Sequence, residues 1–482
     1  MSIAGQVKKR KRISKEESDG SSTEKINHLL HSYLECEAVE FRKNLLEWFT
    51  KNKRDLPWRQ RAVQGSLEER VYSVLVSEVM LQQTQVNTVI AYYQKWMAQW
   101  PTFGDLAGAT PEQVNEMWSG LGYYARGKRL QEAAKEMSKK TIGIPCSAAE
   151  LQKSLPGVGR YTASAVASIV FGEKVAAVDG NVIRVLSRHR VIGADSSTNN
   201  TVNEIWKIAD DLIDPQEPGK FNEAMMELGA VVCTPKAPKC SECPVRSSCL
   251  AYKSTKVREK AQLSLKCNPD VPDIESVPGC SLCLPVEEQL DISLGVLNYP
   301  RKGKKAPPRK QVSVVWILQK CTSDDDVEYF MVKRPDKGLL GNLWEFPCHV
   351  VPPERLTSKE VYADDILKEQ HGIDVFEVQS TKLLGSVLHE FSHIHQTYVV
   401  FHGKVEEIKS LLTSEQYQAQ QWISKTQFET AAVSTAMRKV FALLDSPCHQ
   451  SNKILGKRRI ERKKIKNNSM ITSFFKPKNT EK

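Results

Sequence analysis

The sequence predicts two folded parts of different class. An all-helical body spans residues 28–250 and a smaller mixed α/β domain spans 309–446, with a connector at 251–308 and polar tails at 1–27 and 447–482. Three observations predict this. From Tyr33 onward apolar residues recur at helical spacing (Phe41, Leu45, Leu46, Trp48, Phe49), and as far as Leu250 the chain reads as short helices punctuated by Gly and Pro. Beyond Arg301-Lys302-Gly303-Lys304-Lys305, strand-like runs take over at Val312–Leu318, Glu328–Val332, Leu383–Val387 and Tyr398–His402, with helices expected at Asp364–Gln370 and Ala432–Leu444. Four cysteines within seventeen residues close the helical part.

Composition narrows the function classes. The chain has 482 residues, 40% hydrophobic and 26% charged, which is the make-up of a soluble protein of two to three domains. No apolar run approaches a membrane span, no signal peptide is expected, and 12 cysteines are too few for a disulfide scaffold. The net charge of +11 sits in the tails: residues 1–25 carry +3 and 453–482 carry +9, leaving 26–452 one unit negative. Any nucleic-acid surface in the body is therefore expected as a local patch. The run Lys8–Arg12 reads as a nuclear import signal.

Cys233, Cys240, Cys243 and Cys249 are spaced C-x6-C-x2-C-x5-C, stiffened by Pro235, Pro238 and Pro244. Four thiolates this close can wrap one metal centre, and spacing alone leaves zinc and an iron–sulfur cluster as alternatives. Upstream, Leu155-Pro156-Gly157-Val158-Gly159-Arg160-Tyr161 is a tight turn between helices. Gly157 and Gly159 free backbone N–H groups, and the next helix adds its positive N-terminal end, a combination that holds a phosphate without reading a base. Asp179-Gly180-Asn181 then follows an apolar run; it is turn chemistry or a held carboxylate placed for catalysis.

In this order and spacing, the hairpin, the Asp and the cysteine loop resemble the helix-hairpin-helix DNA glycosylase superfamily, which includes endonuclease III. The resemblance implies a helix-hairpin-helix glycosylase core and turns the metal choice to a [4Fe–4S] cluster on the four cysteines. Members that also cut the DNA backbone carry a lysine directly after the hairpin, because an amine forms a Schiff base with the sugar. Here that position is Tyr161, which implies base removal without strand cleavage. Glu78, in the helical run Ser77-Glu78-Val79-Met80-Leu81-Gln82-Gln83, is expected to be buried, with a raised pKa suited to a general acid. With Leu56-Pro57-Trp58-Arg59 before it and Gly120-Leu121-Gly122-Tyr123-Tyr124-Ala125-Arg126 after it, this segment resembles the MutY family of adenine glycosylases from about Phe41 to Leu250.

That resemblance implies a monofunctional glycosylase excising adenine opposite 8-oxoguanine or guanine in base excision repair. Glu78 would protonate adenine and Asp179 would stabilise the sugar cation or bond to it, with Tyr161 and Asn181 completing the catalytic group. Gln83 and Tyr123 would wedge the duplex, Leu121 and Gly122 would allow their approach, and Arg54, Trp58 and Leu81 would line the adenine pocket. It also implies that the second domain is Nudix-like. Gly338-Leu339-Leu340-Gly341-Asn342-Leu343-Trp344-Glu345-Phe346-Pro347 resembles the start of such a domain, and Phe391-Ser392-His393 its 8-oxoguanine-sensing loop. The segment matching the magnesium-binding helix, Asp365–Gly372, keeps only Glu369, so binding without hydrolysis is expected. Asn342 stands where the family has glycine; Asn tolerates a left-handed backbone, so the turn is expected to survive.

In the connector, Cys267, Cys280 and Cys283 resemble the cysteines of animal MutY homologues that hold zinc, with the first cysteine spaced more widely (C-x12-C-x2-C) and His31 or His28 as the fourth ligand; reduced, unliganded thiols are the alternative. The resemblance also places checkpoint-clamp contacts there. Asn468, Ile471, Phe474 and Phe475 have the form of a box for the sliding clamp PCNA, with Asn468 in place of the usual Gln. A monomer acting on DNA in the nucleus, with a mitochondrial isoform possible in principle, follows. The competing readings are an endonuclease III-like glycosylase/lyase, a catalytically silent damage-binding protein and a nucleotide pyrophosphatase. Tyr161 with the second domain, the presence of Glu78 and Asp179, and the lone Glu369 respectively argue against them.

Overall fold

The computed structural model describes residues 30–139, 143–263, 280–285, 288, 290–303, 306–322, 326–336, 338, 340–352, 361–362, 378–391, 393–406, 419–445 and 475–476. Chain contacts divide it into two compact units that do not follow the linear order. The first takes 1–79, 101–103 and 136–304; the second takes 80–100, 104–135 and 305–482. A helical insertion, 80–135 apart from the short 101–103 segment, therefore clusters with the C-terminal domain, a grouping that a linear reading of 28–250 as one body does not give.

The first unit is built on α1 (Glu35–Asn52), α2 (Pro57–Arg61), most of α3 (Leu67–Leu81), α8 (Ala148–Ser154), α9 (Arg160–Phe171), α10 (Gly180–His189), α11 (Asn199–Leu212), α12 (Pro218–Val231) and α13 (Leu250–Leu263). Helix α1 buries Ala38, Phe41, Leu45 and Phe49, three or four residues apart, in one core with Val182, Val185 and Leu186 of α10 and Phe221, Met225 and Leu228 of α12. Two glycines let α12 come close to its neighbours. A Cβ at Gly219 would lie 2.6 Å from the Ser168 carbonyl oxygen of α9, and one at Gly229 would lie 2.6 Å from Asn181 Cβ of α10. The backbone of Gly157, at φ +77°, makes the sharp turn from α8 into α9.

The connector is more structured than its composition implies. Helix α13 runs fourteen residues to Leu263. Further on, Leu282 accepts hydrogen bonds from the amides of Gly193 and Ala194 at 2.9 and 3.1 Å, and the segment up to residue 304 belongs to the first unit. Cys267 and residues 264–279 lie outside the described residues.

The second unit holds α4 (Val86–Gln99), α5 (Phe103–Gly108) for the most part, α6 (Pro111–Met117) and most of α7 (Ala125–Lys139), together with a seven-stranded sheet. The strands are β1 (Arg309–Cys321), β2 (Val327–Lys333), β3 (Trp344–Glu345), β4 (Cys348–Val351), β6 (Val378–Glu390), β7 (Ile394–Val405) and β8 (Ala419–Ser424); β5 (Val361–Tyr362) pairs separately with β9 (Phe475–Lys476). The order is β3-β2-β1-β7-β6, with β4 also on β1 and β8 on β2; β1 and β7 are parallel and the other pairs antiparallel. Both sheet faces are buried. Val314, Trp316 and Leu318 enter one cluster, while Val315 and Ile317 enter the other with α15 (Thr435–Asp445) and α14 (Lys425–Thr430).

The four strands read from the sequence are present and longer than expected. Strands β3, β4 and β8 and helix α14 were not legible, because β3 is two residues long and β8 (Ala-Gln-Gln-Trp-Ile-Ser) does not alternate apolar with polar, with only Ile423 buried. The helix at Ala432–Leu444 begins at Thr435, and the one expected at Asp364–Gln370 lies outside the described residues. No described helix is long and apolar enough to cross a membrane.

Candidate active site and metal centres

Helix α3 is apolar on nearly every face, so Glu78 is carried into the interior and is 5% exposed. Tyr161, one residue into α9, donates from its phenol to Glu78 Oε2 at 2.7 Å and lies 3.1 Å from Met226 Sδ. Burial raises the Glu78 pKa to about 7; the Tyr161 hydrogen bond and Arg59 oppose this, while the charges of Asp179 and Glu223 add to it. Tyr161 is itself held well above its usual range, chiefly by burial and then by Glu78. Its proton therefore stays on the phenol, and the acidic proton of Glu78 is left to the other oxygen, Oε1.

Asp179 is both a cap and a held carboxylate. Its Oδ1 accepts from the amides of Asn181 and Val182, each at 2.8 Å, capping α10, and its Oδ2 accepts from Asn181 Nδ2 at 2.7 Å. Burial raises its pKa and these three hydrogen bonds work against that rise. The two readings left open by Asp179-Gly180-Asn181 therefore coexist. Arg184, one turn further along α10, donates to Asn181 Oδ1 at 2.7 Å, to the Gly229 carbonyl at 2.7 Å and to the Cys233 carbonyl at 2.7 Å, tying the cap to the cysteine loop.

A second carboxylate pair, absent from the sequence reading, lies on α12. Glu227 is 2% exposed and takes Arg54 at 2.7 and 2.9 Å and Arg59 at 3.1 Å, while Arg59 also bonds Glu223 at 2.8 Å. Of the residues expected in an adenine pocket, Arg54 is thus engaged by Glu227, Trp58 is buried in α2, and Leu81 is the partly buried last residue of α3. Arg59 was visible only as part of Leu56-Pro57-Trp58-Arg59; Glu223, Glu227 and Arg184 had no local signal.

In the second unit a groove of about 820 Å³ is lined by Gln83, Gly122, Tyr123, Phe391 and His393 together. Gln83 and Tyr123 hold left-handed backbones, φ +57° and +50°, and Tyr123 is 49% exposed. Strained, exposed side chains of this kind need an anchor. Arg126 supplies it, donating to the carbonyls of Met80 at 3.0 Å, Gln82 at 2.5 Å and Gly122 at 3.0 Å, and to that of buried Leu121. The Phe391 amide bonds the Ile394 carbonyl and its ring meets His389 edge-on. Asn342 is left-handed at φ +62°, as its residue type allows. Ser392 lies outside the described residues, as do Glu369, His28, Asn468, Ile471 and Phe474; of Phe475 only the backbone, in β9, is described.

Two cysteine groups flank the C-terminal end of α10. Cys233, Cys240, Cys243 and Cys249 line one small cavity of about 30 Å³ with Arg188, Lys239 and Arg246. Burial pushes Cys243 up to about 12 and Cys249 to about 11, and ionised neighbours among the four add to both shifts, so a metal centre is what would hold all four as thiolates. No three of these thiols lie within 4.8 Å of one another. A single zinc ion, with Zn–S near about 2.3 Å, needs sulfurs about 4 Å apart, so the set fits a larger cluster. His31, Cys280 and Cys283 do lie within 4.8 Å, with His31 Nε2 3.3 Å from Cys283 Sγ. His31 Nδ1–H donates to the Arg190 carbonyl at 2.8 Å, which leaves Nε2 free to ligate. Cys280 is pulled down to about 4, first by the hydrogen bond from Cys283. This trio fits one zinc ion.

Known proteins resemble the chain over the same regions. A family model described as HhH-GPD superfamily base excision DNA repair protein matches residues 76–210, and a NUDIX domain model matches 315–443. Adenine DNA glycosylase of Homo sapiens is 46% identical over 410 residues, covering 84% of this chain and 74% of the relative. The Rattus norvegicus enzyme of the same name is 43% identical over 430 residues, covering 88% and 81%, and that of Schizosaccharomyces pombe is 38% identical over 423, covering 83% and 88%. With Glu78, Tyr161 and Asp179 gathered at one buried site and relatives of this identity aligned along most of their length, the chain belongs to the adenine DNA glycosylase family of base excision repair.

Proposed function

We propose that the chain removes adenine paired with 8-oxoguanine, or with guanine, and leaves the DNA backbone intact. The observation that carries this is the 2.7 Å hydrogen bond from the Tyr161 phenol to Glu78, a buried carboxyl whose pKa of about 7 keeps it protonated near neutral pH. Adenine is a poor leaving anion, so Glu78 Oε1–H protonates the ring as the glycosidic bond breaks. The sugar gains oxocarbenium character, which the Asp179 carboxylate stabilises directly or by a transient bond, with Asn181 orienting that carboxylate and the incoming water. Tyr161 holds Glu78 and, having no amine, forms no Schiff base with the exposed sugar.

Gly157 and Gly159 offer backbone amides to a phosphate, Gln83 and Tyr123 fill the gap left by the flipped adenine, with Leu121 and Gly122 shaping the approach, and Arg54, Trp58 and Leu81 surround the base. The Nudix-like domain binds the lesion through Phe391, Ser392 and His393 without hydrolysing nucleotides. Cys233, Cys240, Cys243 and Cys249 hold a [4Fe–4S] cluster, and His31, Cys280 and Cys283, with Cys267 as a further ligand, hold zinc. Within this reading the tail residues Asn468, Ile471, Phe474 and Phe475 engage PCNA, the connector engages the checkpoint clamp, and Lys8–Arg12 directs the protein to the nucleus.

Single-turnover reaction on a duplex with adenine opposite 8-oxoguanine tests the proposal. Strand breaks only after alkali treatment are expected. Breaks without alkali, trapped by borohydride, would establish a lyase; no base loss from cluster-loaded protein would leave Glu78 and Asp179 without a catalytic role.

A further inference from the structure

The loop that carries Tyr123 is strained. Between residues 119 and 124, Gly120, Gly122 and Tyr123 take left-handed backbones, φ +93°, +80° and +50°. Such a run persists only where its surroundings over-determine it. Part of the support is local: Arg126 and the indole N–H of Trp118 donate to the Gly122 carbonyl at 3.0 and 2.9 Å, and Tyr92 of α4 donates to the Ser119 carbonyl at 2.7 Å. The rest comes from the C-terminal domain. The phenol of buried Tyr124 accepts from the Gly120 amide at 3.3 Å and donates to the Val433 carbonyl at 3.3 Å. Arg438 of α15 donates from one nitrogen to Ser119 Oγ at 3.2 Å and to the Ala431 carbonyl at 3.1 Å. A further tie, Lys333 to Glu112 of α6 at 2.6 Å, is half exposed on the glutamate side and adds little.

The strip 431–433 that holds this loop also holds a second strained turn. The Trp344 amide bonds the Ala432 carbonyl at 3.0 Å, and Trp344 pairs with Val433 in a parallel bridge. Just before Trp344, the backbones of Gly338, Leu340 and Asn342 are left-handed. Both turns lie on the 820 Å³ groove, Gly122 and Tyr123 from one and Leu340 and Asn342 from the other, and all these residues belong to the second unit. Ala432 and Val433 are buried, 5% and 0% exposed. A packed strip is nearly incompressible, so a displacement of one turn is passed to the other.

We propose that Tyr124 and Arg438 are positioning residues that link the lesion side of the groove to the wedge: 8-oxoguanine in the groove bears on the 338–342 turn, the strip 431–433 passes this on, and the two side chains set Tyr123 for insertion. The inference rests on the reading that Tyr123 wedges a duplex carrying 8-oxoguanine.

Single-turnover excision by full-length, cluster-loaded protein tests it on two duplexes, with adenine opposite 8-oxoguanine or opposite guanine. Tyr124→Phe loses only the hydroxyl, and Arg438→Met keeps the apolar stem. Each is expected to slow excision opposite 8-oxoguanine at least about fivefold while changing excision opposite guanine less than about twofold. In a Tyr123→Ala background, Tyr124→Phe is expected to cost nothing further, because the ring it positions is gone. Equal losses on both duplexes, tracking a lowered melting temperature, would make the two residues purely structural. Losses that add to that of Tyr123→Ala would show action away from the wedge, and unchanged rates would show that the strip sets nothing; each of these overturns the proposal. If Tyr123→Ala itself excised adenine like the wild type, the wedge reading would fail and the proposal with it.

Discussion

Glu78 is favoured by the fold in its protonated form. Its pKa is raised from 4.5 to about 7, so between those values the folded chain holds a proton that the unfolded chain has released. Its contribution to stability is therefore full below about pH 4.5, is lost as pH rises to about 7, and is flat beyond. Glu78→Gln keeps the shape and removes the charge. We expect it to be more stable than wild type at pH 8 by about 3 kcal/mol, with the difference vanishing toward pH 4, measured by urea unfolding. The same substitution removes the acid, so excision should fall at least about a hundredfold. Excision by the wild type should decline as pH rises through about 7, and a basic limb there, absent from Glu78→Gln, would tie the profile to this residue. Asp179→Asn separates two roles in a similar way: the amide still caps α10 while the negative charge facing the sugar is gone, so activity should fall with little change in melting temperature.

At the scale of elements, the site depends on how closely α12 approaches α10. Gly229 leaves room for Asn181, and an added methyl would sit 2.6 Å from Asn181 Cβ and 3.1 Å from its backbone. Gly229→Ala should therefore push the start of α10 away, lowering stability by about 1–3 kcal/mol and slowing excision beyond what the stability loss explains. A reduced rate measured well below the melting temperature would show displacement of Asn181 and Asp179; an unchanged rate would show that α12 gives way instead. These elements were unequally legible. Helix α1 announced itself through Phe41, Leu45 and Phe49, whereas β3 and β8 are ordered by β2 and carry no pattern of their own.

For the whole molecule, metal binding joins parts remote in sequence. His31 and Cys283 are 252 residues apart, so an ion held by His31, Cys280 and Cys283 would close the first unit from its N-terminal end to the connector. Metal analysis of the purified chain is expected to give about four irons and about one zinc per molecule. Cys283→Ala should lose the zinc, keep the iron and lower the melting temperature. Zinc at two ions per chain with no iron would overturn the assignment of the four loop cysteines.

The sequence by itself determined the chemistry available here: a carboxyl in an apolar helix, a phenol after a glycine turn, a cap-forming Asp-Gly-Asn and four clustered cysteines. Each is a local pattern, set by residue type and short spacing, and so could be read without a fold. Only the tertiary structure decided which of them meet. Tyr161 reaches Glu78 across 83 residues, Arg54 and Arg59 find Glu227 across 173 and 168, and His31 finds Cys283. The grouping of 80–100 and 104–135 with the C-terminal domain arises in the same way. Burial and pairing over such separations depend on how helices pack, and no local run of residues encodes that packing.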